Sequence, residues 1–193
     1  MNIDEALEEK LKSAVMKYLE KGRPNWEIPH TMACVNWMKE LLKHEKGNPR
    51  ILIPAIYLHD IGSADLFNES NLDHESQEKM KSEQMKRSAI LSEKILNEIG
   101  WFSKEEIEKI VHLVGIHDEL DKITATDGYL VFEADSLGMI DTDNVKSNFP
   151  KEDYIKFLDY FEKERAPRFR TKTGKKFLTK LLRGAKRYCE KKA

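Results

Sequence analysis

The fold turns on one stretch, Ile51-Leu52-Ile53-Pro54-Ala55-Ile56-Tyr57-Leu58-His59-Asp60-Ile61-Gly62. Its first eight residues are apolar on every side, the pattern of a short helix buried all round. A membrane span needs about 20 such residues, so this run is a core element. It then stops on a histidine and an aspartate. A buried carboxylate is costly unless it is paired, hydrogen-bonded or metal-bound, so His59-Asp60 asks for partners. Gly62 is expected to let the chain turn sharply and leave both side chains at a helix terminus. The plainer alternative is that Asp60 caps the next turn while His59 bonds a carbonyl.

Outward from this point the periodicity is helical, and no alternating strand pattern lasts beyond a few residues. Toward the N-terminus, Ile3, Leu7, Leu11, Val15 and Leu19 form one stripe, closed by Gly22 before Pro24. A second helix is expected from about Pro29 to Lys46, ended by Gly47 and Pro49. Residues 63–74 are polar and read as a loop. A long charged helix then runs from about Glu75 to Ile99, with Ile90, Leu91, Ile95, Leu96 and Ile99 turned inward. Ser103-Lys104-Glu105-Glu106 is a capping box opening the next helix. Further helices are expected over about Thr126–Ile140, from Pro150 onward, and over about Thr171–Lys191. No repeat or Pro/Gly-rich linker divides the chain. The expected architecture is all-α, a single domain over residues 1–193, built as a bundle of seven or eight helices. Its motif core lies at about 25–140, and helices in 150–193 pack on it.

With 193 residues, 40% hydrophobic and 35% charged, the chain is long enough for a substantial core. The acidic N-terminus is unlike a signal or transit peptide. Cys34 and Cys189 are far apart and lack Cys-x-x-Cys spacing, so a reducing cytoplasm is the expected compartment. The net charge of −1 hides an asymmetry: residues 117–143 sum to −7 and residues 168–193 to +10. Both read first as solvated faces, including Asp121, Asp141 and Asp143. The C-terminal Lys and Arg residues are expected to spread around their helix, and without an accompanying motif nucleic acid is not an expected partner.

Two further polar residues sit where apolar ones belong. His30 shares a stripe with Cys34, Trp37 and Leu41, at offsets of four, seven and eleven, and so points inward. Asp135 is flanked by Ala134, Leu137 and Gly138, small or apolar neighbours that leave room at the carboxylate, while Glu133 is the acid expected to be exposed. Two imidazoles and two carboxylates without a thiolate suit one divalent transition metal, Mn²⁺, Fe²⁺, Ni²⁺, Co²⁺ or Zn²⁺, with Mg²⁺ also admitted. Such an ion leaves positions open for water and a substrate oxygen.

A first His, a His-Asp pair and a distant Asp, each on a helix, resemble the HD-domain superfamily of metal-dependent phosphohydrolases. The matching residues are His30, His59-Asp60 and Asp135, within about 25–140. The resemblance implies these four as metal ligands, with Asp60 at the catalytic centre. It also implies hydrolysis of a phosphoester or phosphoanhydride by a metal-activated water, on a small phosphorylated metabolite, often a nucleotide. Dinuclear relatives add two histidines; here His117 falls at one of those positions and Gln84 at the other, which favours a single metal. His117 is therefore a second-metal, substrate-side or catalytic candidate, and His74 a weaker substitute for Gln84. His112 reads as a surface residue, and His44, near a helix C-terminus, as favourable with the helix dipole. Ser63 stands where some relatives carry a general acid, and Asp65, Glu69 or the His117-Asp118 pair are left to supply it. Arg23 and Lys122 are the phosphate-binding candidates, since cations favour phosphate oxygens. Trp26 reads as a base-stacking ring or a hydrophobic staple. The alternative to an enzyme is a non-catalytic, metal-containing module that binds or senses a nucleotide.

Overall fold

Asp4 accepts hydrogen bonds from the amides of Ala6 and Leu7 and starts α1 (Glu5–Leu19), whose inner stripe is Leu7, Leu11, Val15 and Leu19. In the computed structural model, which describes residues 3–67, 73–147 and 149–191, seven more α-helices follow. They are α2 (Glu27–Leu42), α3 (Pro49–Leu58), α4 (His74–Ile99), α5 (Lys104–Ile116), α6 (Thr126–Met139), α7 (Lys151–Tyr160) and α8 (Lys172–Lys191). No strand occurs among the described residues. None of their helices is long and apolar enough to cross a membrane.

The helix α3 is the axis of the bundle. Every residue from Ile51 to Leu58 is buried, and α1, α2, α5 and α6 all pack against it. Asn48 caps its start through the Arg50 amide, with Pro49 in the first turn. The capping box of α5 forms in both directions, Ser103 Oγ accepting from the Glu106 amide and Glu106 accepting from that of Ser103. One apolar cluster runs from Leu7 to Cys189 and takes in α8 through Leu181, Ala185 and Cys189. The architecture is the all-α helical bundle expected.

Two glycines set how closely elements approach the His-Asp segment. A Cβ on Gly62 would stand 2.2 Å from the backbone oxygen of Gln84 and 2.6 Å from the Ser88 nitrogen. Among the described glycines only Gly100 has a positive φ, so Gly62 is needed for the close approach of α4 rather than for a sharp turn. Likewise a Cβ on Gly138 would meet Cys34 Sγ at 2.3 Å, so α2 and α6 approach closely there. That room belongs to Cys34 and His30, not to a visitor at Asp135.

The structure corrects four other expectations. Ile90 is 70% exposed, because the inner face of α4 is a polar stripe of Gln77, Gln84, Ser88 and Ser92 that passes into Ile95. Glu133 is fully buried and accepts from the amides of Arg170 and Thr171, joining α6 to the entry of α8. Asp141 is also buried, accepting from Trp37 Nε1 at 2.9 Å and from Asn144. The exposed cations of α8 share one side: from Lys172 to Lys191 they fall within an arc of about 160° at 3.6 residues per turn, opposite Leu181 and Ala185.

Candidate metal centre

Three histidines and three aspartates meet where α2, α3, α5 and α6 converge. His59 and His117 are placed by one device used twice. Each is the C-cap of its helix, and each donates Nδ1–H to a carbonyl three residues back, Ile56 O at 2.8 Å and Val114 O at 2.7 Å. Carbonyls of a last turn lack helical partners, and a carbonyl only accepts, so the bond fixes the proton on Nδ1. The Nε2 lone pair of both rings is left to face inward. His30, on the first turns of α2, has the ring of Trp26 stacked on it at 5.2 Å.

Four atoms converge. His30 Nε2 is 3.3 Å from His59 Nε2, 3.5 Å from Asp60 Oδ2 and 3.1 Å from Asp135 Oδ1. His59 Nε2 is 3.4 Å from Asp60 Oδ2 and 3.5 Å from Asp135 Oδ1. Donors roughly 2.0–2.2 Å from a shared ion stand about 2.8–3.1 Å apart at right angles and about 3.3–3.6 Å apart at the tetrahedral angle. All five separations lie in that range. Asp135 Oδ1 is buried and in hydrogen-bond geometry with neither histidine, so its lone pairs lack a partner. Glu27, Asp60, Asp118 and Asp135 are buried around the site and share the cations Arg23, Arg165 and Lys81. The residues fit a divalent ion.

Donor atoms fall into two overlapping groups within 4.8 Å: His30, Cys34, His59 and Asp135, and His59, Asp60 and His117. Cys34 is the unexpected member, since its Sγ lies 3.6 Å from both nitrogens of His30. The sequence offered it only as a neighbour on the inner stripe. His117 Nε2 lies 3.7 Å from Asp60 Oδ1, too far for a hydrogen bond.

Asp60 does not cap the turn that follows it. Its Oδ2 accepts from Arg23 Nη2 at 3.1 Å, and its Oδ1 from Gln84 Nε2 at 2.8 Å. Gln84 also donates to the His59 carbonyl at 3.0 Å, so it holds the His-Asp pair in place. Arg23 comes to the site as expected, but its guanidinium is committed to Glu27, Gln77 and Asp60. Lys122 does not reach the site: its side chain is 62% exposed and pairs with Glu119.

Two other cations occupy the place expected of Lys122. Arg165, wholly buried, is presented by a π-type turn over Phe161–Arg165 after α7. Its Nη2 donates to Asp135 Oδ2 at 2.7 Å, its Nη1 to Asp118, and its Nε to Ser136 Oγ at 3.1 Å. Lys81 reaches the other oxygen of Asp118 at 2.8 Å. Both had a signal. Arg165 is four residues after Phe161 on the inner stripe of α7, and Lys81 stands between Gln77 and Gln84 on the polar stripe of α4.

Burial works against a charged His30 ring, but the Cys34 sulfur and the Asp135 carboxylate more than offset it and lift its pKa to about 10. His117 moves down, because burial and the neighbouring His59 disfavour its cation. For Asp118, burial is outweighed by Arg165 and Lys81, which lower it from 3.8 to about 2. The stabilisation from Asp118 is therefore present above about pH 4 and lost as pH falls toward 2. Chemical denaturation is expected to show stability falling steeply through that window, and Asp118→Asn to flatten the fall. An unchanged slope in the variant would refute the assignment.

These side chains form the floor and one wall of a cavity of about 70 Å³ lined by Asp60, Gln84, His117, Asp118, Arg23 and Arg165. One water needs roughly 10–15 Å³, so the space holds several. Lys81, Ser63 and Trp26 continue the wall, and His74, Phe149, Phe157 and Tyr160 form its aromatic side. His74 thus lies on the cavity wall rather than in the cluster of donor atoms. Asp65 faces solvent beside Lys21, and Glu69 is outside the described residues. His44 and His112 are exposed.

Comparison of the chain with protein families, with curated proteins and with solved structures returns no match.

Proposed function

We propose that the protein is a metal-dependent phosphohydrolase of the HD type, acting on a small phosphorylated metabolite of which a nucleotide is the leading class. The observation that carries this reading is the convergence of His30, His59, Asp60 and Asp135, with Asp135 Oδ1 unpartnered, beside a cavity that Asp60 lines together with Arg23, Lys81 and Arg165. Those four residues would hold one divalent ion of the Mn²⁺, Fe²⁺, Co²⁺, Ni²⁺, Zn²⁺ group, or Mg²⁺. Bound there, the ion supplies Lewis acidity toward a phosphoryl oxygen and an activated water.

The remaining residues divide the other tasks. Arg23 and Gln84 fix the Asp60 carboxylate, and Arg165 fixes that of Asp135. Arg165, Lys81 and Arg23 bring cationic groups to the cavity wall, where they can meet an anionic substrate. Asp118, held as an anion, is a poor proton donor. His117, neutral and with Nε2 turned to the cavity, is left as the group that takes or returns a proton. Its position beside Asp60 argues for this role over that of a ligand to a second ion, because Gln84 spends its amide on Asp60 and on the His59 carbonyl.

Metal analysis of the purified protein, followed by a panel of phosphoesters and nucleotides with added Mn²⁺, Co²⁺, Ni²⁺ or Mg²⁺, tests the proposal. Turnover with at least one ion is expected, lost on chelation and restored by that ion. Tight binding of a phosphorylated ligand with no turnover under any ion would favour the non-catalytic module instead.

A further inference from the structure

We propose that the outer half of the cavity is a ring-binding subsite, in which His74 with Phe149, Phe157 and Tyr160 takes a flat aromatic group carried by the phosphorylated substrate. The proposal rests on the phosphohydrolase reading only for the phosphate end.

Trp26 Nε1, Ser63 Oγ and His74 Nε2 are buried without a hydrogen-bond partner, and all three belong to residues that line this cavity. Buried polar atoms are ordinarily paired, so unpaired ones grouped in one cavity mark where a polar ligand completes them. The outer wall adds shape to this. The His74 ring lies 5.3 Å from Tyr160 and 6.1 Å from both Phe149 and Phe157, within the range of stacked and edge-on ring pairs. These rings line the cavity, so one more flat ring would continue the cluster. Burial holds His74 below the ordinary imidazole pKa, and the acid nearest its Nε2, Glu78, is 4.0 Å away. An uncharged imidazole with a free nitrogen can stack on a ring and also bond a ring heteroatom.

The two ends of the cavity are one ligand apart. Lys81 Nζ sits 5.0 Å from the centre of the Tyr160 ring and 2.8 Å from Asp118, which Arg165 ties to Asp135. One lysine thus borders both the ring wall and the metal-site network. A compound with a phosphate at one end and a ring at the other can fill both at once.

The test is equilibrium binding to the metal-loaded protein, by calorimetry, alongside turnover of the same compounds. The probes are the four common nucleoside 5′-monophosphates, phenyl phosphate and ribose 5-phosphate, which has no aromatic ring. The tightest probe with an aromatic ring is expected to bind about tenfold more tightly than ribose 5-phosphate, the scale of one stacking contact. His74→Ala and Tyr160→Leu should each close most of that gap and leave ribose 5-phosphate unchanged. Should Tyr160→Leu fail to fold, His74→Ala, at the first residue of α4, decides alone. Preference for phenyl phosphate would identify an aryl group, and preference for a nucleotide a base. Equal binding of all probes, or a gap untouched in the variants, overturns the proposal. A preserved gap with no turnover of any phosphate overturns the hydrolase reading and leaves the ring subsite standing; turnover without a ring preference does the reverse.

Discussion

Asp60→Ala protein is expected to be purified without its metal and to lose hydrolysis, with affinity for Mn²⁺ or Co²⁺ down by more than 100-fold. Losing a residue that merely orients a ligand costs roughly 10–100-fold in affinity, so losing the ligand itself should exceed that. Asp60 Oδ2 stands 3.4–3.5 Å from both His59 Nε2 and His30 Nε2, and no other carboxylate is placed to take over that position. The effect on the fold should run the same way. Burial alone would raise the Asp60 carboxyl, but His59, Arg23 and His30 hold it below the usual carboxylate range, so Asp60→Asn removes a charge that the folded state favours. The metal-free Asn variant should melt below the metal-free parent. Elemental analysis and thermal unfolding read both effects, and full hydrolysis by metal-free Asp60→Ala protein would end the proposal.

Arg165→Ala carries the largest expected loss of stability. The guanidinium is wholly buried, spans Asp118 and Asp135, and lies 4.9 Å from the centre of the Phe132 ring. Removing one partner of a buried ion pair typically costs about 3–5 kcal/mol, because the other charge is left uncompensated. At about 2–4 °C per kcal/mol for a chain of this size, the melting temperature should fall by roughly 6–20 °C. Arg165→Lys keeps the charge but cannot reach both carboxylates with a planar fork, so it should fall between the two. Adding Asp118→Asn to Arg165→Ala should recover part of the loss, and a double variant no more stable than the single one would mean that the pair is not coupled.

Much of this arrangement is legible in the sequence, for physical reasons that differ from element to element. His59-Asp60 stands out because it follows eight residues with no polar side, and His30 and Asp135 because they break apolar stripes. The helices are legible because their caps are local: Asp4, Asn48 and Ser103 all act on amides two or three residues ahead. Arg165 and Lys81 carry only a faint stripe signal, because charged residues in charged helices usually face water, and the surroundings that bury them arrive from other parts of the chain. Glu133 misleads for a related reason. Its angular offset from Asp135 is real, but α8 covers the far side of α6 as well, and backbone amides of Arg170 and Thr171 meet the carboxylate there. Lys122 fails because sequence proximity to His117 says little once the helix has ended.

The position of Arg165 so late in the chain bears on how the protein is made. Asp135 emerges 30 residues ahead of the guanidinium that pairs with it. At roughly 5–20 residues per second, that interval is about 2–6 seconds of synthesis. Throughout it the nascent α1–α6 segment carries Asp118 and Asp135 without the arginine that pairs with both. On the proposed reading, a divalent ion taken up in that interval would join Asp135 Oδ1 to Asp60 before Arg165 arrives, so the supply of metal during translation, and not only afterwards, would bear on how much of the newly made chain reaches its native core.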